Sequence, residues 1–172
     1  MHITKSDIEA GLRALGLAAG DSVILHSSLS SLGTVEGGAE SVVRAFLAVL
    51  GPAGTLVAPA FGSLGVIAGA VQAHPDAVRS VHPLAGVAAV GARAEAFCLD
   101  HWKAELAHGP DTPYTRLAEA GGYVCLLGVD QDRNTTLHTA EELLRLPYLQ
   151  RTAEQAFDTP EGPVRKAWPF FP

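Results

Sequence analysis

Gly20-Asp21-Ser22-Val23-Ile24-Leu25-His26-Ser27-Ser28-Leu29 is the stretch that decides the class of fold. Gly20-Asp21 is a turn, Ser22 to His26 is a short apolar run suited to a buried strand, and Ser27 to Gly33 is a polar loop. Beyond it, Val42, Val43, Phe46, Leu47 and Leu50 recur at helical spacing from Gly38 to Leu50, and Gly51-Pro52 stops that helix. Gly54 then turns into Thr55-Leu56-Val57-Ala58, a second strand that ends at Pro59. Strand, loop, helix and strand in this order are the unit of a layered α/β fold.

The flanks keep the alternation. Lys5 to Leu17 reads as a helix with Ile8, Leu12 and Leu15 on one face, opened by a capping box of Ser6 and Glu9. Ser63 to Ala73 is a helix weakened by its glycines, Gly86 to Val90 is short and ambiguous, and Ala92 to Cys98 is a further helix. Thr112-Pro113 starts a helix that runs to Ala120 and ends at Gly121-Gly122. Tyr123 to Leu127 reads as the clearest buried strand, and Thr136 to Leu146 as a helix ended by Pro147. Polar loops at strand ends are where a site is expected.

Composition narrows the function. The 172 residues are 48% hydrophobic and carry 12 basic and 18 acidic side chains, a net charge of −6. Such a chain can bury a core without metal or disulfide support, and it is expected to form a single domain, 1–172. No stretch provides the about 20 apolar residues of a membrane span, and no leader pattern precedes Lys5, so neither membrane nor export is expected. An acidic balance without a basic run argues against nucleic acid. Cys98 and Cys125 lack paired spacing, as reduced thiols of a cytoplasmic protein do.

Three constellations could carry chemistry. In Asn134-Thr135-Thr136-Leu137-His138-Thr139-Ala140-Glu141-Glu142, Asn134 or Thr135 can cap the helix, and His138 falls in its first turns. Glu141 and Glu142, three and four residues on, can reach the same face. A carboxylate that orients an imidazole is the arrangement of a general base. The spacing equally fits a half-exposed histidine in ordinary helical contacts, and a metal ligand pair is a weaker reading without a second pair. The loop His26-Ser27-Ser28-Leu29 offers hydroxyls and N–H groups but is neither a P-loop nor a dinucleotide fingerprint, so a solvated serine loop also fits. Arg79-Ser80-Val81-His82-Pro83 could hold a phosphate or be a surface turn. His74, His101 and His108 show no partner pattern.

In this order, Gly20 to Leu29, Gly51 to Phe61, Arg79 to Pro83, Gly121 to Val129 and Asn134 to Glu141 resemble the aminoglycoside N3-acetyltransferase family across residues 20–148. The resemblance implies a mixed central sheet flanked by helices, distinct from the GNAT fold, and acetyl-CoA-dependent N-acetylation without a metal. It makes His138 the expected base and Glu141 its orienting partner. It lays His26, Ser27, Ser28 and Leu29 along the pantetheine and thioester, with Arg79, Ser80 and His82 shaping the cofactor groove. The acceptor is then a small-molecule amine of the aminoglycoside type. Two departures bear on it. Gly62 joins directly where the family carries a longer acidic loop, and Gly69 stands where a glutamate is frequent. Family chains also continue further, so this is a shortened member or a chain lacking residues. The alternative is a CoA-binding or interaction protein that has lost acceptor acetylation, with a metal-dependent hydrolase a distant third. Trp168, Phe170 and Phe171 are expected to contact a partner subunit, in a homo-oligomer, or a missing segment.

Overall fold

The computed structural model describes residues 2–62, 64–148, 150–151 and 154–170. In chain order its elements are β1 (His2–Ile3), α1 (Lys5–Ala14), β2 (Ser22–Ser27), β3 (Thr34–Val35), α2 (Gly38–Leu50), β4 (Thr55–Pro59) and α3 (Val66–Gln72). There follow β5 (Val78–Arg79), β6 (Val87–Gly91), α4 (Ala94–Cys98), α5 (Pro113–Glu119), β7 (Tyr123–Leu127) and α6 (Leu137–Leu143). The chain closes with β8 (Gln150–Arg151), β9 (Gln155–Thr159), β10 (Gly162–Lys166) and β11 (Pro169–Phe170).

The central sheet runs β5-β6-β4-β2-β7. β2 lies parallel to both β4 and β7, whereas β6 is antiparallel to β4 and to β5, so the sheet is mixed. Because successive side chains point to opposite faces, β2 feeds two cores. Val23 and Leu25, with Leu56, Ala58 and Val90, pack on α1, α2 and α3 through Leu12, Phe46, Leu50 and Val71. Ile24, with Val57, Val87 and Ala89, packs on α4 and α5 through Phe97, Tyr114 and Leu117. The result is a layered α/β fold with helices on both faces of a mixed sheet.

Several elements differ from the sequence reading, each for a physical reason. The capping box of α1 is made by Thr4 and Asp7, not Ser6 and Glu9: Thr4 Oγ1 accepts from Asp7 N, and Asp7 Oδ2 accepts from Thr4 N. Glu9 instead pairs with Lys5 and Arg13. The stretch 86–90 is an inner strand whose alanines and valines are small enough to lie under both helical layers. β7 is a strand but not a buried one. Among the described residues it is the outermost strand of the sheet, with Tyr123 50% and Val124 40% exposed; an apolar run does not reveal how many neighbours a strand has. The helix expected from Ser63 begins at Val66, and Ser63 itself lies outside the described residues. α6 stops short of Leu146 because Arg145 adopts φ +48°, and Leu146 N–H reaches back to Glu141 O.

The tail folds onto the α4–α5 side. β9 and β10 form an antiparallel hairpin, and β11 pairs with β8. Trp168 is fully buried, donates from Nε1 to Ala104 O at 3.1 Å, and packs on His82 and Phe157 with ring centroids 4.4 and 5.2 Å away. This chain alone therefore suffices to bury it. Phe171 and Pro172 lie outside the described residues. Among the described residues, no helix is long and apolar enough to cross a membrane.

Candidate active site

β2, β4 and β7 all end on the same side of the sheet, and the segments leaving them enclose a cleft of about 490 Å³. Its walls include His26, Ser27, Ser28 and Ser31 from the end of β2, and Pro59 from the end of β4. Leu64 and Gly65 at the start of α3 and Gly128, Asp130, Asp132 and Arg133 after β7 complete them. A crevice at the carboxyl ends of parallel strands is the usual ligand position in open α/β sheets. Gly128 makes the close approach here. Its φ is +69°, and a Cβ would lie 2.9 Å from both Ser28 O and Ser31 Cβ, so no larger residue fits without displacing the serine loop.

The serine loop is internally bonded. Ser28 N–H donates to Leu127 O at 2.9 Å, extending the β2–β7 ladder, so that N–H serves the sheet and not a ligand. Ser28 Oγ lies 3.1 Å from Ser30 Oγ and accepts from Ser31 Oγ at 3.0 Å. Leu29 packs its side chain on the α1–α2 core. His26 is buried, which depresses its imidazole to about 4 and keeps the ring neutral. Its Nε2 lies 3.2 Å from Thr136 Oγ1 and so ties the end of β2 to the residue before α6.

α6 carries the acid–base candidates. Asn134 Oδ1 accepts from Thr136 N and shapes the turn into the helix. One turn on, His138 Nδ1 and Glu141 Oε2 are 2.6 Å apart, and Tyr148 Oη donates to Glu141 Oε1 at 3.1 Å. The His138 side chain is 36% exposed and that of Glu141 28%, so the pair is partly open to solvent. His138 and Glu141 do not line the cleft directly; Thr136 and His26 connect the two.

Arg79, Ser80 and His82 do not line it either. Arg79 donates to Ala60 O just beyond β4, bracing that wall from outside. Ser80 Oγ accepts from Val87 N and lies 2.9 Å from His101 Nδ1. His101 Nε2 faces Ala107 O at 2.9 Å, so Nε2 carries the proton and the Ser80 hydroxyl donates to Nδ1. His82 Nδ1 accepts from Leu84 N and Ala85 N, and its ring stacks on His101 at 4.4 Å. Burial is the main reason that His82 falls to about 2 and His101 to about 3.

Sequence reasoning missed a second histidine–carboxylate pair. Glu142 is fully buried and accepts from His108 N at 2.7 Å, with its other oxygen 3.3 Å from His108 Nδ1. Helical spacing marks both Glu141 and Glu142 as partners for His138, but the structure assigns one glutamate to each histidine. Tyr148 was likewise unmarked, and nothing in its local sequence signals its contact. Among the described residues, no three His, Cys, Asp or Glu side chains converge as a metal site.

Comparison with known proteins gives these features a context. The sequence profile of a family described as aminoglycoside 3-N-acetyltransferase matches residues 24–63 and 62–168, two blocks that meet at Gly62 just after β4. The chain is 35% identical over 181 residues to aminoglycoside N(3)-acetyltransferase VII of Streptomyces paromomycinus, covering 84% of this chain and 62% of that relative. It thus spans a little under two thirds of that relative's length. A solved structure described as AAC-IIIb binary with CoASH superposes with a TM-score of 0.90 at 29% identity, over 100% of this chain and 77% of the other. A mutant of aminoglycoside acetyltransferase AAC(3)-IVa in complex with a gentamicin gives 0.88 at 31% identity, over 98% and 70%. With the profile matched from the heart of β2 to the buried Trp168, and the fold shared along its whole length, the chain belongs to the aminoglycoside 3-N-acetyltransferase family.

Proposed function

We propose that the protein is an acetyl-CoA-dependent N-acetyltransferase acting on an amine of an aminoglycoside-type acceptor, with His138 as general base. One observation carries the reading: the 2.6 Å His138–Glu141 pair is coupled, through the Thr136–His26 contact, to a hydroxyl-lined cleft at the strand ends. Family membership and the CoA complex of a relative support it.

The residues present fit the donor. Gly128 leaves the serine loop in place against β7, and Ser27, Ser28 and Ser31 line the cleft with hydroxyl groups. Bound acetyl-CoA supplies an acetyl group activated as a thioester. At neutral pH an alkyl amine is protonated and has no lone pair with which to attack. His138 removes that proton at Nε2, while Glu141 on Nδ1 holds the ring and stabilises the imidazolium that forms. As the C–N bond is made and the C–S bond breaks, His138 returns its proton to the departing sulfur, and the second proton that the nitrogen sheds on becoming an amide passes to solvent. The Ser27 and Ser28 hydroxyls stabilise charge on the carbonyl oxygen. Among the cleft-lining groups Arg133 pairs with Asp132 at 3.3 Å, so Asp130 is the carboxylate that presents negative charge to a polycationic acceptor. Arg79, Ser80 and His82 act from behind, by holding the 78–87 turn that backs the end of β4.

The test is release of free thiol from acetyl-CoA in the presence of an aminoglycoside panel. The expected result is turnover by the parent and a loss of about 100-fold or more in His138→Ala. No thiol release with any amine overturns the reading. The match that breaks at residues 62–63 favours a second reading, a CoA-binding protein without acceptor chemistry. Tight CoA binding by calorimetry with no turnover identifies it.

A further inference from the structure

The buried pair behind His138 has no role in the chemistry above, and its construction is unusual. Glu142 is fully enclosed, and a carboxylate so placed costs several kcal/mol unless donors are built for it. Both donors come from His108: its N–H at 2.7 Å and its Nδ1 at 3.3 Å, from a loop 34 residues away. A carboxylate only accepts, so Nδ1 carries the imidazole proton and Nε2 holds the lone pair. That Nε2 is buried without a hydrogen-bond partner among the described residues. The His108 ring is wedged between Tyr114, at 4.6 Å, and His138, at 5.2 Å and tilted by 52°. The titratable groups around it are Glu142, Tyr114 and His138, with Glu141 beyond His138 and with His82 and His101 within electrostatic reach.

Apart from an acceptor for the N–H of residue 108, stability does not require a charged pair here, since apolar residues of similar volume often replace buried ion pairs without loss. What the polar pair adds is orientation. Glu142 fixes the plane of His108, and His108 is the wall against which the half-exposed His138 rests. We propose that His108, locked by Glu142, is a positioning residue that holds the His138 ring in the orientation facing Glu141. The two glutamates divide the work: Glu141 bonds the base, and Glu142 sets the surface on which the base lies. The inference rests on His138 being the base.

The test is the double variant His108→Phe with Glu142→Gln, which keeps an aromatic wall, leaves no buried charge and retains an acceptor for the N–H of residue 108. Its melting temperature is expected to stay near that of the parent, and KM for acetyl-CoA within about twofold, while kcat falls about tenfold to a hundredfold. In parallel, the side-chain ¹⁵N spectrum of His138 is expected to pass from one fixed tautomer to averaged shifts. A folded double variant with kcat within twofold of the parent and unchanged His138 nitrogen shifts overturns the proposal. Should the parent show no turnover, the acetyltransferase reading fails, and the nitrogen spectrum alone decides the positioning role. If the double variant does not fold, Glu142→Gln, which keeps the volume and removes the charge, is read in the same way.

Discussion

Mild acid should unfold this protein well before its carboxylates titrate. Three buried histidines are neutral in the fold: His26, His82 and His101, lowered mainly by burial to about 4, 2 and 3. In the unfolded chain each takes up a proton near pH 6.5. Below that pH the unfolded state binds more protons than the folded one, so stability is fully present above 6.5 and declines as pH falls. The decline persists until each folded-state value is reached, first at His26. Each histidine contributes a limiting slope of about 1.4 kcal/mol per pH unit, so the three together remove about 5 kcal/mol between pH 7 and 5. That is comparable with the whole stability of a typical domain, about 5–15 kcal/mol. His108, also lowered by burial, acts in the same direction. Urea unfolding followed by tryptophan fluorescence at pH 7, 6 and 5 measures the effect. A loss below about 1 kcal/mol over this range, less than one such histidine supplies, would refute the assignment of these rings as neutral and buried.

Other perturbations give separate readings. Glu141→Gln should lower kcat for thiol release by about tenfold to a hundredfold with little change in KM, since the carboxylate acts on His138 and not on the donor. Trp168→Ala should destabilise the fold by about 3–5 kcal/mol, seen in the urea midpoint, because it empties the space between His82 and Phe157. Gly128→Ala places a methyl group 2.9 Å from Ser28 O at positive φ; it should cost about 1–3 kcal/mol in urea unfolding and raise KM for acetyl-CoA. Burial pushes the Cys98 thiol up to about 12 and that of Cys125 to about 11, so a disulfide reagent at pH 8 should label both slowly in the native protein and rapidly in urea.

How much of this was legible in the sequence follows from the range of each interaction. β2, α2 and β4 announce themselves because a local apolar pattern meets a local stop, Gly51-Pro52 or Pro59. The His138–Glu141 contact is equally local, three residues along one helix. β7 could be seen as a strand but not as an edge, since strand order is set by partners elsewhere in the chain. The capping box was misplaced by two residues because Ser6-Glu9 and Thr4-Asp7 satisfy the same pattern, and only the start of the helix separates them. Ser80–His101, His108–Glu142 and His82–Trp168 were beyond reach: each joins distant segments, and no spacing rule connects them. For that reason the local motif, read as a phosphate holder or a surface turn, gave no sign that Ser80 and His82 are buried.

The pairing of β2 with β7 also shapes how the chain acquires its fold. Val23 meets Tyr123 and Ser27 meets Leu127, so the strand that carries the cleft is flanked on one side by a neighbour synthesised long after it. Closing so large a loop is entropically slow, and parallel partners cannot be brought together by a short hairpin. Until that late strand arrives, a nascent chain exposes an apolar ribbon of Val23, Ile24 and Leu25 with unpaired amide groups, a template for self-association. Heterologous production should therefore reward slow translation or chaperone supply, and premature termination before residue 123 should yield insoluble product.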